Sequence, residues 1–206
     1  MTTIETPTAA PSSPPPKFKL FSTRVFSSST VKPFDQVEWT SRTVSITDDT
    51  GKTVFVQEGV EAPKSWSDMA VKVVASKYFY GQQGTPLREK SIRQLIHRVA
   101  NTIATWGRED GLFDSDEECE IFYDELCWLC LNQFAAFNSP VWFNVGLWHE
   151  YKVGTNSIGN WAIDKQDPNK TFRTKTQFER PQGSACFINR VEDNMESIMA
   201  LATTEA

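Results

Sequence analysis

A thiol is the most reactive side chain that this sequence offers, and four positions carry one: Cys119, Cys127, Cys130 and Cys186. Cys186 stands apart. It lies in Gln182-Gly183-Ser184-Ala185-Cys186-Phe187-Ile188, a small-residue turn that runs into an apolar, strand-like segment. Small residues let a ligand come close to the backbone, so a thiol here could meet a bound molecule. The plainer reading is a lone buried cysteine, because a free thiol has a pKa of about 8.5 and needs a specific setting to react at neutral pH. Cys127-Trp128-Leu129-Cys130 has the CxxC spacing of thiol-redox and zinc motifs. It falls in the middle of a helical pattern, where i and i+3 share a face with apolar neighbours. A structural zinc site needs four ligands, and the chain adds only Cys119, Cys186, His97 and His149. Cys127 and Cys130 therefore read as core cysteines, and no metal site is assigned. His97 and His149 are too far apart in sequence to suggest a dyad. The acidic run Asp114, Asp116, Glu117, Glu118 and Glu120 sits at a helix start, where the helix dipole favours negative charge. Gly81-Gln82-Gln83-Gly84 is a turn without the lysine of a phosphate loop.

Other elements must position these groups. Met1 to about Pro16 is a Ser/Thr/Pro tail, too polar to offset the entropy of ordering, and reads as disordered. Val37 to Val56 predicts a β-hairpin, with Val44, Ile46, Val54 and Val56 at two-residue spacing around an Asp48-Asp49-Thr50-Gly51 turn. Three helices should follow. The first spans Trp66 to about Tyr78, with Ser65 as N-cap and Met69, Ala70, Val73 and Val74 on its buried face. The second runs from about Pro86 to Trp106, with Thr85 as cap, Ile92, Leu95, Ile96, Val99 and Ile103 at helical spacing, and Gly107 as its stop. The third opens on the capping box Ser115-Asp116-Glu117-Glu118, worth about 1 kcal/mol. Its apolar face should carry Cys119, Phe122, Leu126, Leu129, Cys130 and Phe134.

After Phe137 the pattern changes. Pro140 to Val145 is a short apolar run bounded by Pro and Gly and suits a buried strand. Trp148 to Phe178 reads as a long surface connection. Cys186 to Ile188 suits a second buried strand. Asp193-Asn194-Met195-Glu196 opens a last helix, with Met195, Ile198, Met199 and Ala202 on one face. That helix reaches Ala206 without a stop signal, so the chain reads as part of a longer protein.

Composition narrows the classes. The chain has 206 residues, 39% hydrophobic and 12% aromatic, enough for a real core. A net charge of −5 disfavours nucleic acid and anionic membranes as partners, but not a nucleotide held by backbone N–H groups. No window approaches the roughly 18 consecutive apolar residues of a membrane span, and the N-terminus lacks a signal core. Four cysteines fit a reducing, cytoplasmic setting.

Asn138-Ser139-Pro140-Val141-Trp142-Phe143-Asn144-Val145-Gly146 and Ser184-Ala185-Cys186-Phe187-Ile188 together resemble the start of the catalytic barrel of class II, adenosylcobalamin-dependent ribonucleotide reductases. Pro63 with Trp66, Lys77-Tyr78-Phe79, and Asp193-Asn194-Met195-Glu196-Ser197-Ile198 support the resemblance. It covers the chain from about Val37 onward. The implied fold is α+β: a mostly helical N-terminal domain with a small β-hairpin, then the first strands of a ten-stranded α/β barrel. The implied organisation is a tail over 1–17, an N-terminal domain over 18–137 and the incomplete barrel over 138–206.

The resemblance implies a ribonucleoside-diphosphate reductase making deoxyribonucleotides for DNA synthesis by thiyl-radical chemistry. Cys186 matches the redox-active cysteine, with its disulfide partner beyond the chain. Ser139, Ala185 and Cys186 match substrate contacts; many relatives have Ser at the position of Ala185, so only backbone contact remains there. Asp193, Asn194 and Met195 match the segment that binds an allosteric deoxynucleotide. The implied cofactor is adenosylcobalamin, with most of its contacts outside this chain. Implied partners are the ribonucleotide, the deoxynucleotide effector, a thioredoxin-like or other dithiol reductant and, in the full-length enzyme, a second copy. The chain alone is expected to be inactive. The alternatives are a non-enzymatic helical interaction module with core cysteines, and a small zinc or thiol-redox protein using Cys127 and Cys130.

Overall fold

The computed structural model describes residues 23–154, 158–186 and 189–205. The Ser/Thr/Pro tail and the pair Phe187-Ile188 lie outside the described residues. Strands β1 (Trp39–Thr47) and β2 (Thr53–Pro63) form an antiparallel hairpin. Its turn is closed by Asp48, whose carboxylate accepts from the Thr50 and Lys52 N–H groups and the Thr50 hydroxyl, and Gly51 takes φ +82°. The hairpin runs longer than the sequence predicts. Its inner face is Val44, Gln57, Val60 and Ala62, whereas Val54 and Val56 are exposed. The register shift between Arg42 and Val44 resets the two-residue alternation along β2.

Helices α1 (Asp68–Lys77), α2 (Ile92–Glu109) and α3 (Asp116–Leu131) follow. Each expected helix exists, and each begins where a side chain can cap it. Ser67 rather than Ser65 caps α1 by accepting from the Ala70 N–H. Packing on the core turns Val71 and Ala75 inward, and Met69 and Val73 are exposed. Ser91, not Thr85, caps α2 in a reciprocal box with Gln94. Thr85-Pro86 belongs to a turn before it, and α2 continues through Gly107, which lies under the Phe113 ring. Ser115 caps α3 by accepting from the Glu118 N–H, and the Glu118 carboxylate reaches back to the Asp114 N–H. On α3 the buried apolar side chains are Cys119, Ile121, Cys127, Cys130 and Leu131, and Phe134 is exposed.

The apolar run after Asn138 is a helix, α4 (Ser139–Asn144), not the expected strand. Asn138 caps it by accepting from the Val141 N–H. Pro140 falls in the first turn, where its fixed φ fits a helix and its missing N–H costs nothing. The inward residues are Trp142 and Val145, three apart, so the apolar period is helical. Both join the one core built from the hairpin and α1–α3.

Helix α5 (Leu147–Tyr151) and a small antiparallel pair, β3 (Trp161–Ile163) with β4 (Thr171–Arg173), occupy the stretch expected as a bare connection. Helix α6 (Met195–Glu205) ends the described chain. The architecture is mixed helix and strand, and among the described residues its strands form two two-stranded antiparallel sheets. Cys186 is in coil, not in a strand.

Candidate functional site

Ser139 opens α4, and its Oγ lies 3.1 Å from the Tyr78 hydroxyl at the end of α1. The Tyr78 ring stacks on Phe143 of the same helix, centroids 5.2 Å apart and 21° between planes. The other end of α4 is held by a buried ion pair. Arg98 and Glu89 are each 1% exposed and meet at 2.8 Å. Arg98 donates to the carbonyls of Val145 (2.5 Å) and Trp142 (3.0 Å). Glu89 also accepts from the Tyr80 N–H and the Tyr151 hydroxyl, both at 2.7 Å. Burial, then the Glu89 charge, pushes the Tyr151 phenol well above its ordinary pKa, so it stays a donor. Gly146 turns the chain from α4 to α5 at φ +86°, and a Cβ there would fall 2.3 Å from Arg98 Cγ.

Glu89, Arg98 and Tyr78 were not legible as site residues. The first two look like surface charges in the sequence. A signal lay in Gly146, since a left-handed turn pressed against another helix admits only glycine.

Cys186 is exposed, as are Ser184 and Ala185, which corrects the reading of a lone buried cysteine in a strand. A chain of small residues with few apolar contacts has little to bury. The segment nevertheless runs beside α4: a Cβ placed on Gly183 would sit 3.7 Å from Val141 Cγ2. The two motifs, about forty residues apart, thus adjoin through Gly183 and Val141. Asp193, Asn194 and Met195 form the exposed entry to α6, where Asn194 Oδ1 accepts from the Ser197 N–H at 2.8 Å. Among the described residues, no hydrogen bond or ion pair links them to Ser139 or Cys186.

The remaining thiols are core, as their helical setting predicts. Burial pushes the Cys127 thiol well above the ordinary range, against a hydrogen bond with Tyr123, and pushes Cys130 up to about 11. Neither is a thiolate at neutral pH. Cys119 is 2% exposed and points its thiol at the Ala104 carbonyl. His97 Nδ1 pairs with the Tyr123 hydroxyl at 2.7 Å. His149 Nε2 accepts from Trp106 Nε1 at 3.1 Å, and burial lowers its pKa. Among the described residues, no three His, Cys, Asp or Glu side chains gather where a metal ion could bind.

Residues 40–133, from β1 through α3, match the family model described as class II vitamin B12-dependent ribonucleotide reductase. A vitamin B12-dependent ribonucleotide reductase of Rhodopirellula baltica is 51% identical over 175 residues, 84% of this chain. The chain belongs to the class II ribonucleotide reductases. A Streptomyces avermitilis enzyme of the same name is 40% identical over 177 residues, and one from Bradyrhizobium diazoefficiens 30% over 210. The chain spans 17%, 15% and 17% of the length of these three reductases. No helix among its described residues is long and apolar enough to cross a membrane.

Proposed function

We propose that this chain is the N-terminal portion of a cytoplasmic, adenosylcobalamin-dependent ribonucleoside-diphosphate reductase. Residues 18–137 are then its N-terminal domain. Residues 138–206 lead into a ten-stranded α/β barrel, joined to the helical domain through Trp142 and Val145. The observation that carries the reading is 51% identity to a vitamin B12-dependent ribonucleotide reductase, together with the packing of the Gly183 turn beside α4. In this reading Ser139, Ala185 and Cys186 bind the ribonucleotide, and Asp193, Asn194 and Met195 bind the deoxynucleotide effector.

Reduction at the 2′ carbon needs two electrons and two protons. Cys186 and a second cysteine outside this chain supply both, forming a disulfide as the 2′ hydroxyl leaves as water. A thioredoxin-like or other dithiol restores the pair. Exposure of Cys186 suits a thiol that both nucleotide and reductant must reach. Bound adenosylcobalamin would supply the radical that starts the reaction. An apolar cleft of about 500 Å³ between α1 and residues 133–137 presents few polar groups to the polar rim of a corrin. In this reading most of the cofactor's contacts lie outside this chain, and the full-length enzyme is a homodimer.

The full-length enzyme tests this. It should reduce ribonucleoside diphosphates in preference to triphosphates with adenosylcobalamin and a dithiol. Cys186→Ser should abolish turnover while cobalt–carbon homolysis stays detectable. Normal turnover by that variant would overturn the role of Cys186, and a triphosphate preference would overturn the substrate class.

A further inference from the structure

Tyr78 and Ser139 are 61 residues apart in sequence, yet their hydroxyls meet at 3.1 Å. Tyr78 is fixed independently of that contact. Its backbone ends α1, with its N–H donating to the Val74 carbonyl. Its ring lies on Phe143, which is one turn beyond Ser139 on α4. Ring and hydroxyl therefore grip the same short helix, whose far end is fixed by Arg98. Each hydroxyl can donate once and accept twice. The geometry allows either hydroxyl to donate; a phenol is a stronger hydrogen-bond donor than an aliphatic alcohol, so the arrangement proposed here has Tyr78 donating and Ser139 accepting. The Ser139 proton is then left for an acceptor on a ligand.

We infer that Tyr78 is a positioning residue for the nucleotide: it orients Ser139 so that the serine hydroxyl donates to a ribose or phosphate oxygen of the substrate. This rests on the reading of Ser139 as a substrate contact. Tyr78 acts through Ser139 and does not itself touch the nucleotide. The alignment matters because a hydroxyl without a second partner rotates freely and loses part of its binding contribution to ordering.

The test uses the full-length enzyme and its Tyr78→Phe, Ser139→Ala, Ser139→Thr and Tyr78→Phe/Ser139→Ala variants. Four quantities are read: steady-state KM and kcat for a ribonucleoside diphosphate, the Kd of that nucleotide without cobalamin, and the melting temperature of each variant. Phe keeps the stack on Phe143 and removes only the hydroxyl. Tyr78→Phe should raise KM and Kd by about 2- to 12-fold, the range of one hydrogen bond, with kcat nearly unchanged. Ser139→Ala should raise them at least as much, and the double variant should be no worse than Ser139→Ala. Ser139→Thr should keep binding close to that of the unaltered enzyme. Penalties that multiply in the double variant would show that Tyr78 acts independently of Ser139 and overturn the inference. So would a Tyr78→Phe enzyme with a lowered melting temperature but unchanged Kd. Unaltered binding by Ser139→Ala would instead overturn the substrate role of Ser139 itself, whatever Tyr78 does.

Discussion

Cysteine exposure separates the four thiols by what surrounds them. Cys119, Cys127 and Cys130 sit on one packed helix, and Cys186 lies in open coil. Iodoacetamide should therefore label Cys186 alone in the native chain, and all four after denaturation. Mass spectrometry of the labelled peptides reads this, and early labelling of Cys127 would contradict its burial. His149 makes a pH prediction. Burial lowers its pKa from the usual 6.5, so the unfolded chain binds a proton more readily than the native one. Its neutral ring contributes stability above pH 6.5, and that contribution is lost as pH falls below 6.5 through the folded value. Protonation would also remove the lone pair that accepts from Trp106. Urea midpoints should fall between pH 7 and pH 5, and His149→Gln should flatten that slope.

At the scale of elements, the corner between α4 and α5 depends on charges that no solvent reaches. Arg98 links α2 to the end of α4, and Glu89 links it to α5 through Tyr151. Arg98→Met should cost about 3–5 kcal/mol, because it strands the Glu89 carboxylate in the interior. Replacing both, as Glu89→Gln with Arg98→Met, should cost less than the sum of the single changes. Chemical denaturation of the four proteins reads the coupling. A strictly additive double variant would mean that the pair acts as two separate groups. A second buried tie secures the chain before β1. Glu125 accepts from the Val25, Phe26 and Ser27 N–H groups and the Ser27 hydroxyl, while Phe26 stacks on Trp128 at 5.2 Å. Burial opposes ionisation of Glu125, but these donors outweigh it and hold its carboxyl below the usual range. The lead-in is thereby strapped along α3, a placement its Ser-rich composition does not announce.

For the molecule as a whole, the core ends near Tyr151. Up to that point each helix shares one apolar cluster or is tied to it: Asn101 donates to Glu150 at 2.7 Å and Trp106 to His149. Beyond it the packing thins. Thr174, Thr176 and Phe178 are buried, but Arg190 and its neighbours are exposed, as are Met195, Ile198 and Met199 of α6. Limited trypsin digestion of the isolated chain should cut at Arg190 before Arg93 or Arg98 within α2. A fragment holding the hairpin and α1–α3 should persist. Early cleavage at Arg93 or Arg98 would show that the cluster does not form as described.

What the sequence determined by itself is local. The Asp48–Gly51 turn, the Ser115 cap, the apolar stripe of α2 and the core placement of the CxxC pair all follow from residues within a few positions of one another. So does the family, since its motifs are contiguous words. Tertiary structure decided the rest. The six-residue run after Ser139, five of its residues apolar, is too short to separate a strand from a helix by period; the pocket that accepts Trp142 and Val145 made the choice. Glu89 and Arg98 are ordinary surface types that became interior only because α4 and α5 fold over them. Tyr78 meets Ser139, and Gly183 meets Val141, across separations that no local preference encodes. Such contacts are selected by the burial of the whole cluster, a sum over distant residues that a linear pattern does not display.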